Sequence, residues 1–157
     1  MVPETSKLLV QTLRKIPVFK GLAPTQLRMI LSLCQHRSFR PGAILCKGNT
    51  PSQEMFILLS GELVVSTLDG IRVATLRPVT TVGEMGVITG QPRSATVEVS
   101  KPSNIFTIQK SLFDTLLRED REVRSTLYRN IIDVLSSKLT DDNVRLRDQQ
   151  LERDRFQ

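Results

Sequence analysis

The stretch Val82-Gly83-Glu84-Met85-Gly86-Val87-Ile88-Thr89-Gly90-Gln91-Pro92-Arg93-Ser94-Ala95-Thr96 decides the fold. It interrupts a region of strand-like runs with three glycines in eight residues, which bracket Met85, Val87 and Ile88. That pattern predicts a single turn of helix with glycine at both ends. The first amides of a helix are unpaired and point the same way, so an anion there gains several N–H donors and the positive end of the dipole. Arg93 lies just beyond and would close over the same anion with a two-pronged guanidinium. Glu84 would be repelled by a phosphate. Its carboxylate suits hydroxyl donors, as in ribose recognition. Together these residues describe a nucleotide site.

Working outward, residues 39–110 carry short apolar, β-branched runs at 44–45, 55–59, 63–65, 71–76, 95–99 and 105–108. Pro41-Gly42, Gly48, Gly61, Asp69-Gly70, Pro78, Gly83 and Pro102 punctuate them, the spacing of an all-β sandwich or barrel. Asp69-Gly70 between two such runs is a hairpin signal. Residues 5–40 read as helical. Leu8, Leu9, Leu13 and Ile16 recur at helical spacing up to Pro17. Pro24 then opens a second helix with Leu27, Ile30, Leu31 and Cys34 on one face. After the strands, Ser111 is placed to cap a short helix through Leu112, Leu116 and Leu117. A longer helix begins after Asp120. Its Tyr128, Ile132, Leu135, Leu139, Asp142 and Leu146 follow 4-3-4-3-4 spacing, an apolar seam with one charged break.

Length and composition set the bounds. With 157 residues, 39% hydrophobic and 24% charged, the chain suits one domain, 1–157, with helices over 1–38, strands over 39–110 and helices over 111–157. Two cysteines are too few for a disulfide framework or a four-thiolate cluster, which makes a cytoplasmic location the default expectation. Met1-Val2-Pro3-Glu4-Thr5 lacks the basic start of a secretory signal. No apolar run approaches the ~18 residues of a membrane span, so no membrane partner is expected. The net charge of +6 sits in residues 1–117, with 13 basic and 7 acidic residues, whereas residues 118–157 carry nine of each. That balanced tail does not form the basic stripe of a nucleic-acid-binding segment.

Here the residues meet a resemblance. Pro41-Gly42, Met55-Phe56-Ile57-Leu58-Leu59-Ser60-Gly61-Glu62-Leu63, Asp69-Gly70, Gly83-Glu84 and Pro92-Arg93-Ser94-Ala95-Thr96 occur in an order that resembles the cyclic-nucleotide-binding domain. That family includes the catabolite activator protein, protein kinase A regulatory subunits and cyclic-nucleotide-gated channels. The likeness covers residues ~10–145 and implies a mainly β fold with flanking helices. Its core would be a double-stranded β-helix, the jelly-roll-like β-roll, between N-terminal helices and a long C-terminal helix. It also implies roles. Gly83 and Met85 would offer backbone amides to a cyclic phosphate, and Arg93 would pair with an exocyclic oxygen. Glu84 would take the ribose 2′-hydroxyl, with Ser94 and Ala95 completing the shell. Val65, Val73 and Leu76 would line the base pocket, and Thr140 of the long helix would reach the base. The implied ligand is cAMP, with cGMP the alternative because Ser94 can serve a guanine. No cofactor or metal is implied.

Blander readings stand beside these. Arg93 also fits an exposed arginine after a proline turn, and Glu84 suits the first turn of any helix. Cys34-x-His36 with Cys46 lacks the spacing of a metal site, so Cys34 reads as core and His36 as surface. The seam of the 121–146 helix fits packing against its own roll or a homodimer; its length, more than one small roll needs, points to the homodimer, and Asp142 weighs against it. With one histidine and no nucleophile–base pair, the chain reads as a binding module rather than an enzyme. Two alternatives remain: the sensor part of a Crp/Fnr-type transcription regulator, or a roll that has lost its ligand and serves as a dimerisation scaffold. The sequence stops at Gln157, where a helix-turn-helix would start in such regulators, so direct DNA binding is not expected from this chain.

Overall fold

The computed structural model describes residues 4–156; Met1, Val2 and Pro3 of the N-terminal stretch read above, and Gln157, lie outside the described residues. Helix α1 (Glu4–Arg14), a 3-10 turn (Pro17–Phe19) and α2 (Pro24–Leu33) precede the strands. The strands are β1 (Gln35–Phe39), β2 (Ile44–Cys46), β3 (Glu54–Ser66), β4 (Arg72–Leu76), β5 (Thr80–Val82) and β6 (Thr96–Gln109), with α3 (Glu84–Thr89) between the last two. Helices α4 (Lys110–Glu119) and α5 (Arg121–Arg155) close the chain.

All strand pairs are antiparallel, and β3 and β6 run alongside each other from Glu54↔Gln109 to Ser66↔Thr96. The first half of β3 carries β5 and its second half carries β4. Likewise β1 pairs with the second half of β6, and β2 with the first. Two layers therefore share two long strands, which makes the β-roll. The expected runs 55–59 and 63–65 are one strand, as are 95–99 and 105–108. They merge because Gly61 and Pro102 mark a bend rather than an end. The β3–β6 register shifts three times between Leu58 and Leu63. Gly61 sits there at φ +105, where an added Cβ would lie 2.6 Å from the Pro102 carbonyl oxygen. Beside the bend, the Glu62 carboxylate accepts from Ser100 Oγ at 2.9 Å and meets Arg77 and Lys101 at 3.4 Å each.

Strand alternation divides the core in two. Phe56, Leu58, Leu63, Val97, Val99 and Ile105 fill the inside of the roll. Met55, Ile57, Phe106 and Ile108 face the other way, against Leu13, Ile16, Leu27, Ile30, Phe113 and Leu127 of the helices. Helix α5 begins as the sequence suggests: the Asp120 side chain caps it by accepting from the Val123 amide at 3.0 Å. Its first turns are buried through Val123, Leu127, Asn130 and Ile131. Asn130 Nδ2 donates to the carbonyls of Val18 and Lys20, both at 2.8 Å, tying α5 to the 3-10 turn.

Two local expectations are corrected. Residues 35–39 lie inside the stretch read as helical but form β1, because their backbone pairs with residues 103–107 of β6. Polar, exposed Gln35-His36-Arg37-Ser38 gives this edge strand no apolar alternation to read. Ser111 does not cap α4; the cap is Gln109, two residues earlier, and the Lys110 amide is held by the Gln53 carbonyl at 2.8 Å. Strand β5 also has no counterpart among the runs read from the sequence.

Gly61→Ala is expected to cost about 2–6 kcal/mol, combining positive-φ strain with steric overlap of ~1–3 kcal/mol each. Urea unfolding measures it, and an unchanged midpoint would show that the bend accepts a side chain.

Candidate functional site

Helix α3 is capped by Gly83 (φ 82) and ends at Gly90 (φ 74), as the spacing of glycines suggests. The Gly83 carbonyl accepts twice, from the Val87 amide at 3.2 Å and from Arg93 Nη1 at 3.1 Å. Gly83 is required on steric grounds as well, since an added Cβ would strike the Arg93 guanidinium. Arg93 is buried, at 7% exposure, rather than an exposed arginine after a turn. Its Nη2 donates to the Glu54 carbonyl, and its Cζ lies 5.8 Å from the Phe56 ring centroid. Its own backbone is stitched to the neighbouring loop, Arg93 N to Thr50 O at 2.8 Å and Asn49 N to Arg93 O at 2.7 Å. Two of five guanidinium N–H donors are thereby used, leaving three for another acceptor.

These elements border a cavity of about 650 Å³, within the 300–1,000 Å³ usual for small-molecule sites. Gly83, Glu84, Met85, Arg93, Ser94 and Ala95 lie on it, and so do Val65 and Leu76. Val73 does not. It is 58% exposed, and Ala74 lines the cavity in its place. The cause is strand alternation: Ala74 and Leu76, two residues apart, share the cavity face, so Val73 points the other way, at a bulge where Ser66 pairs with Arg72 and Val65 with Ala74. Thr140 is also outside. It is exposed, and its hydroxyl donates back to the Ser136 carbonyl at 3.0 Å. Two residues earlier, roughly 200° around the helix, Lys138 is the α5 residue on the cavity wall. Sequence reading missed Lys138, Ala74 and Thr81. Period-two alternation from Leu76 would have found Ala74, but no local signal marks Lys138.

Burial pushes the Glu84 carboxyl above its usual range; its own backbone amide, the Lys138 charge, a hydrogen bond from Thr81 and the Arg93 charge oppose the shift. Cys46 is on the same wall, and burial raises its thiol too. Cys34 is remote and packs against the helical core, with Sγ donating to the Ile30 carbonyl at 3.3 Å and its pKa pushed up to about 12 by burial. His36 is exposed, with its ring edge-on to Phe106.

The lining thus combines the backbone at the start of α3, a guanidinium and a carboxylate with the apolar side chains of Val65, Ala74, Leu76 and Val97. Such a cavity can hold an anion joined to a hydroxyl-bearing ring and a flat apolar group. Residues 36–120, just over half of the chain, match the family described as cyclic nucleotide-binding domain. The chain belongs to that family. The domain is 29% identical over 113 residues to a cyclic nucleotide-gated potassium channel of Mesorhizobium japonicum, covering 72% of this chain and 31% of the channel. It is 27% identical over 143 residues to glutaminase 1 of Bradyrhizobium diazoefficiens, covering 91% of this chain and 22% of that protein. It superposes on the Thermus thermophilus catabolite activator protein with a TM-score of 0.69 at 23% identity, covering 83% of this chain and 61% of that one, a likeness of fold. The domain spans less than a third of those two curated relatives. Among the described residues no helix is long and apolar enough to cross a membrane.

The raised Glu84 carboxyl has a measurable sign. A folded-state pKa above the unfolded one means stability falls as pH rises through that window. Glu84→Gln is therefore expected to raise the unfolding midpoint at neutral pH, with the gain vanishing below the carboxylate range. A neutral-pH midpoint at or below wild type would show that the charge is already compensated.

Proposed function

We propose that this domain is a receptor module for a cyclic purine nucleotide, cAMP ahead of cGMP, whose occupancy repositions α5. The reading is carried by Arg93 and Glu84, which lie on one cavity at the start of α3 beside an apolar wall. In it, the Gly83 and Met85 amides and the free donors of Arg93 take the cyclic phosphate. The Glu84 carboxylate accepts from the ribose 2′-hydroxyl, and Ser94 and Ala95 close the shell. Val65, Ala74 and Leu76 contact the base. Their apolar character suits adenine, while the Ser94 hydroxyl in the same lining supports testing cGMP second. Binding rather than hydrolysis is proposed, because Arg93 is engaged with carbonyls and Glu84 alone is not an acid–base pair.

The coupling follows population-shift logic: a ligand that touches both α3 and α5 favours the arrangement in which both reach it. The proposal includes a homodimer. Tyr128, Ile132, Leu135, Leu139 and Leu146 of the seam are exposed, while the buried side of α5 ends at Ile131. A second copy of the same helix is the partner that heptad-like spacing fits.

Calorimetric titration of nucleotide-free protein tests the receptor reading. Arg93→Ala is expected to weaken cAMP binding ~30-fold or more, since truncating one member of a buried charge pair costs about 2–5 kcal/mol. Because Arg93 also holds backbone carbonyls, circular dichroism must confirm the fold. Glu84→Ala supplies a second arm: it should bind cAMP and 2′-deoxy-cAMP equally, whereas wild type prefers cAMP. Wild type that binds neither cyclic nucleotide sinks the reading.

Sedimentation tests the dimer separately. Leu139→Asp should convert a dimeric species to monomer without loss of the roll, and a wild type that is monomeric at its highest soluble concentration would exclude it.

A further inference from the structure

Away from the nucleotide cavity, a second recess of about 530 Å³ lies where α4, α5 and the end of α3 meet. Ser111, Asp114, Thr115 and Arg118 recur at helical spacing and present one face of α4 to it. Arg124 and Tyr128, four residues apart, do the same from α5. Buried Leu117 and half-buried Ile88 of α3 supply an apolar floor. The receptor reading makes no use of this recess. Its charges are unbalanced. Asp114 is the carboxylate in the lining, and its Oδ2 accepts from Lys110 Nζ at 2.7 Å, which neutralises it locally. Arg118 and Arg124 form no ion pair among the described residues. Arg118 Nη2 donates to the neutral Thr115 hydroxyl at 3.3 Å. The half-buried Arg124 guanidinium has no hydrogen-bond partner among the described residues.

Each guanidinium carries five N–H donors in a fork that matches the oxygens of a carboxylate or phosphate. Two forks in one recess suit a dianion better than a monoanion, because the second cation then meets a second charge. A phosphate monoester carries about −1.5 to −2 near neutral pH. The Ser111 hydroxyl adds a donor, whereas that of Thr115 is already spent on the Ser111 carbonyl at 3.0 Å. The volume is that of a small-molecule site, and the apolar floor fits a short hydrocarbon body. We propose that this recess is a second ligand site, which takes a small phosphate monoester. Its phosphate sits between Arg118 and Arg124, and its apolar body lies on Leu117 and Ile88. The site is independent of the cyclic-nucleotide reading and stands or falls without it.

Phenyl phosphate is the probe, titrated at low salt into nucleotide-free protein while backbone amide shifts are followed by NMR. Arg93 can also attract a phosphate, so the position of the shifts matters as much as their size. Saturable shifts over residues 111–118 and 124–128 are expected, on a binding curve separate from any shifts over 83–96. Inorganic phosphate, which lacks the apolar body, and benzoate, which lacks the second charge, should each bind more weakly. Arg124→Gln and Arg118→Gln should each weaken the 111–128 response about tenfold, as expected for losing a hydrogen bond to a charged group. Neither should alter shifts over 83–96. Both side chains lack ion pairs in the folded protein, so both variants should fold, which circular dichroism checks. Raised salt should weaken the response in wild type. Shifts confined to 83–96, or variants that respond as wild type does, would overturn the site. Benzoate bound as tightly as phenyl phosphate would overturn the assignment of a phosphate ester.

Discussion

A guanidinium buried in a small domain must be given acceptors, because an unpaired interior charge is among the costliest defects a fold can carry. Arg93 is given the carbonyls of Gly83 and Glu54 and a place over the Phe56 ring. Those acceptors are not neighbours in sequence. Gly83 caps α3, Glu54 starts β3, and the backbone of Arg93 is bonded to Asn49 and Thr50. One residue, through side chain and backbone together, therefore ties these segments to one another beside the cavity. Gly83 is constrained in return, both by its left-handed backbone and by the guanidinium that fills the space of a Cβ. The residue with free donors for an anion is the same residue that holds the cradle together.

Alternation along two long strands sets the second level of organisation. Even and odd positions of β3 and β6 feed two different cores, one inside the roll and one beneath the helices. Helix α3 lies between them. Val87 inserts fully into the helical core, with Met85 and Ile88 packed against it. Any displacement of α3 by a bound group would thus be felt by side chains that also touch α4 and the start of α5, since close-packed interiors transmit strain.

Much of this was legible in the sequence, and the gaps have physical causes. Glycine spacing showed α3, because a six-residue helix with left-handed ends leaves few alternatives. Asp120 and Pro24 marked helix starts through chemistry that is local. The roll was legible as a set of short strands but not as two long ones, since a bend at Gly61 and Pro102 resembles a break until cross-strand register is known. Strand β1 was hidden because its pairing comes from β6 rather than from any pattern of its own. At the cavity, Val73 and Leu76 are three residues apart, so alternation along β4 puts them on opposite faces and brings Ala74 to the cavity with Leu76. Thr140 was misplaced because helix rotation relative to a distant wall is a tertiary property. Lys138 resembles any solvated lysine until that rotation is fixed.

The unburied part of α5 has a mechanical meaning. From Ile131 to the end of the helix at Arg155 the projection is about 36 Å at 1.5 Å per residue, so a tilt of about 10° at its root sweeps the tip through about 6 Å. The Asn130 amide, clamped on two carbonyls, and the buried Ile131 form the fulcrum, and Lys138 stands about 10 Å along the arm. A displacement at Lys138 therefore arrives at the tip enlarged more than threefold. Tilted about that root, a helix of this length would turn a small motion at the cavity wall into a larger one at its tip.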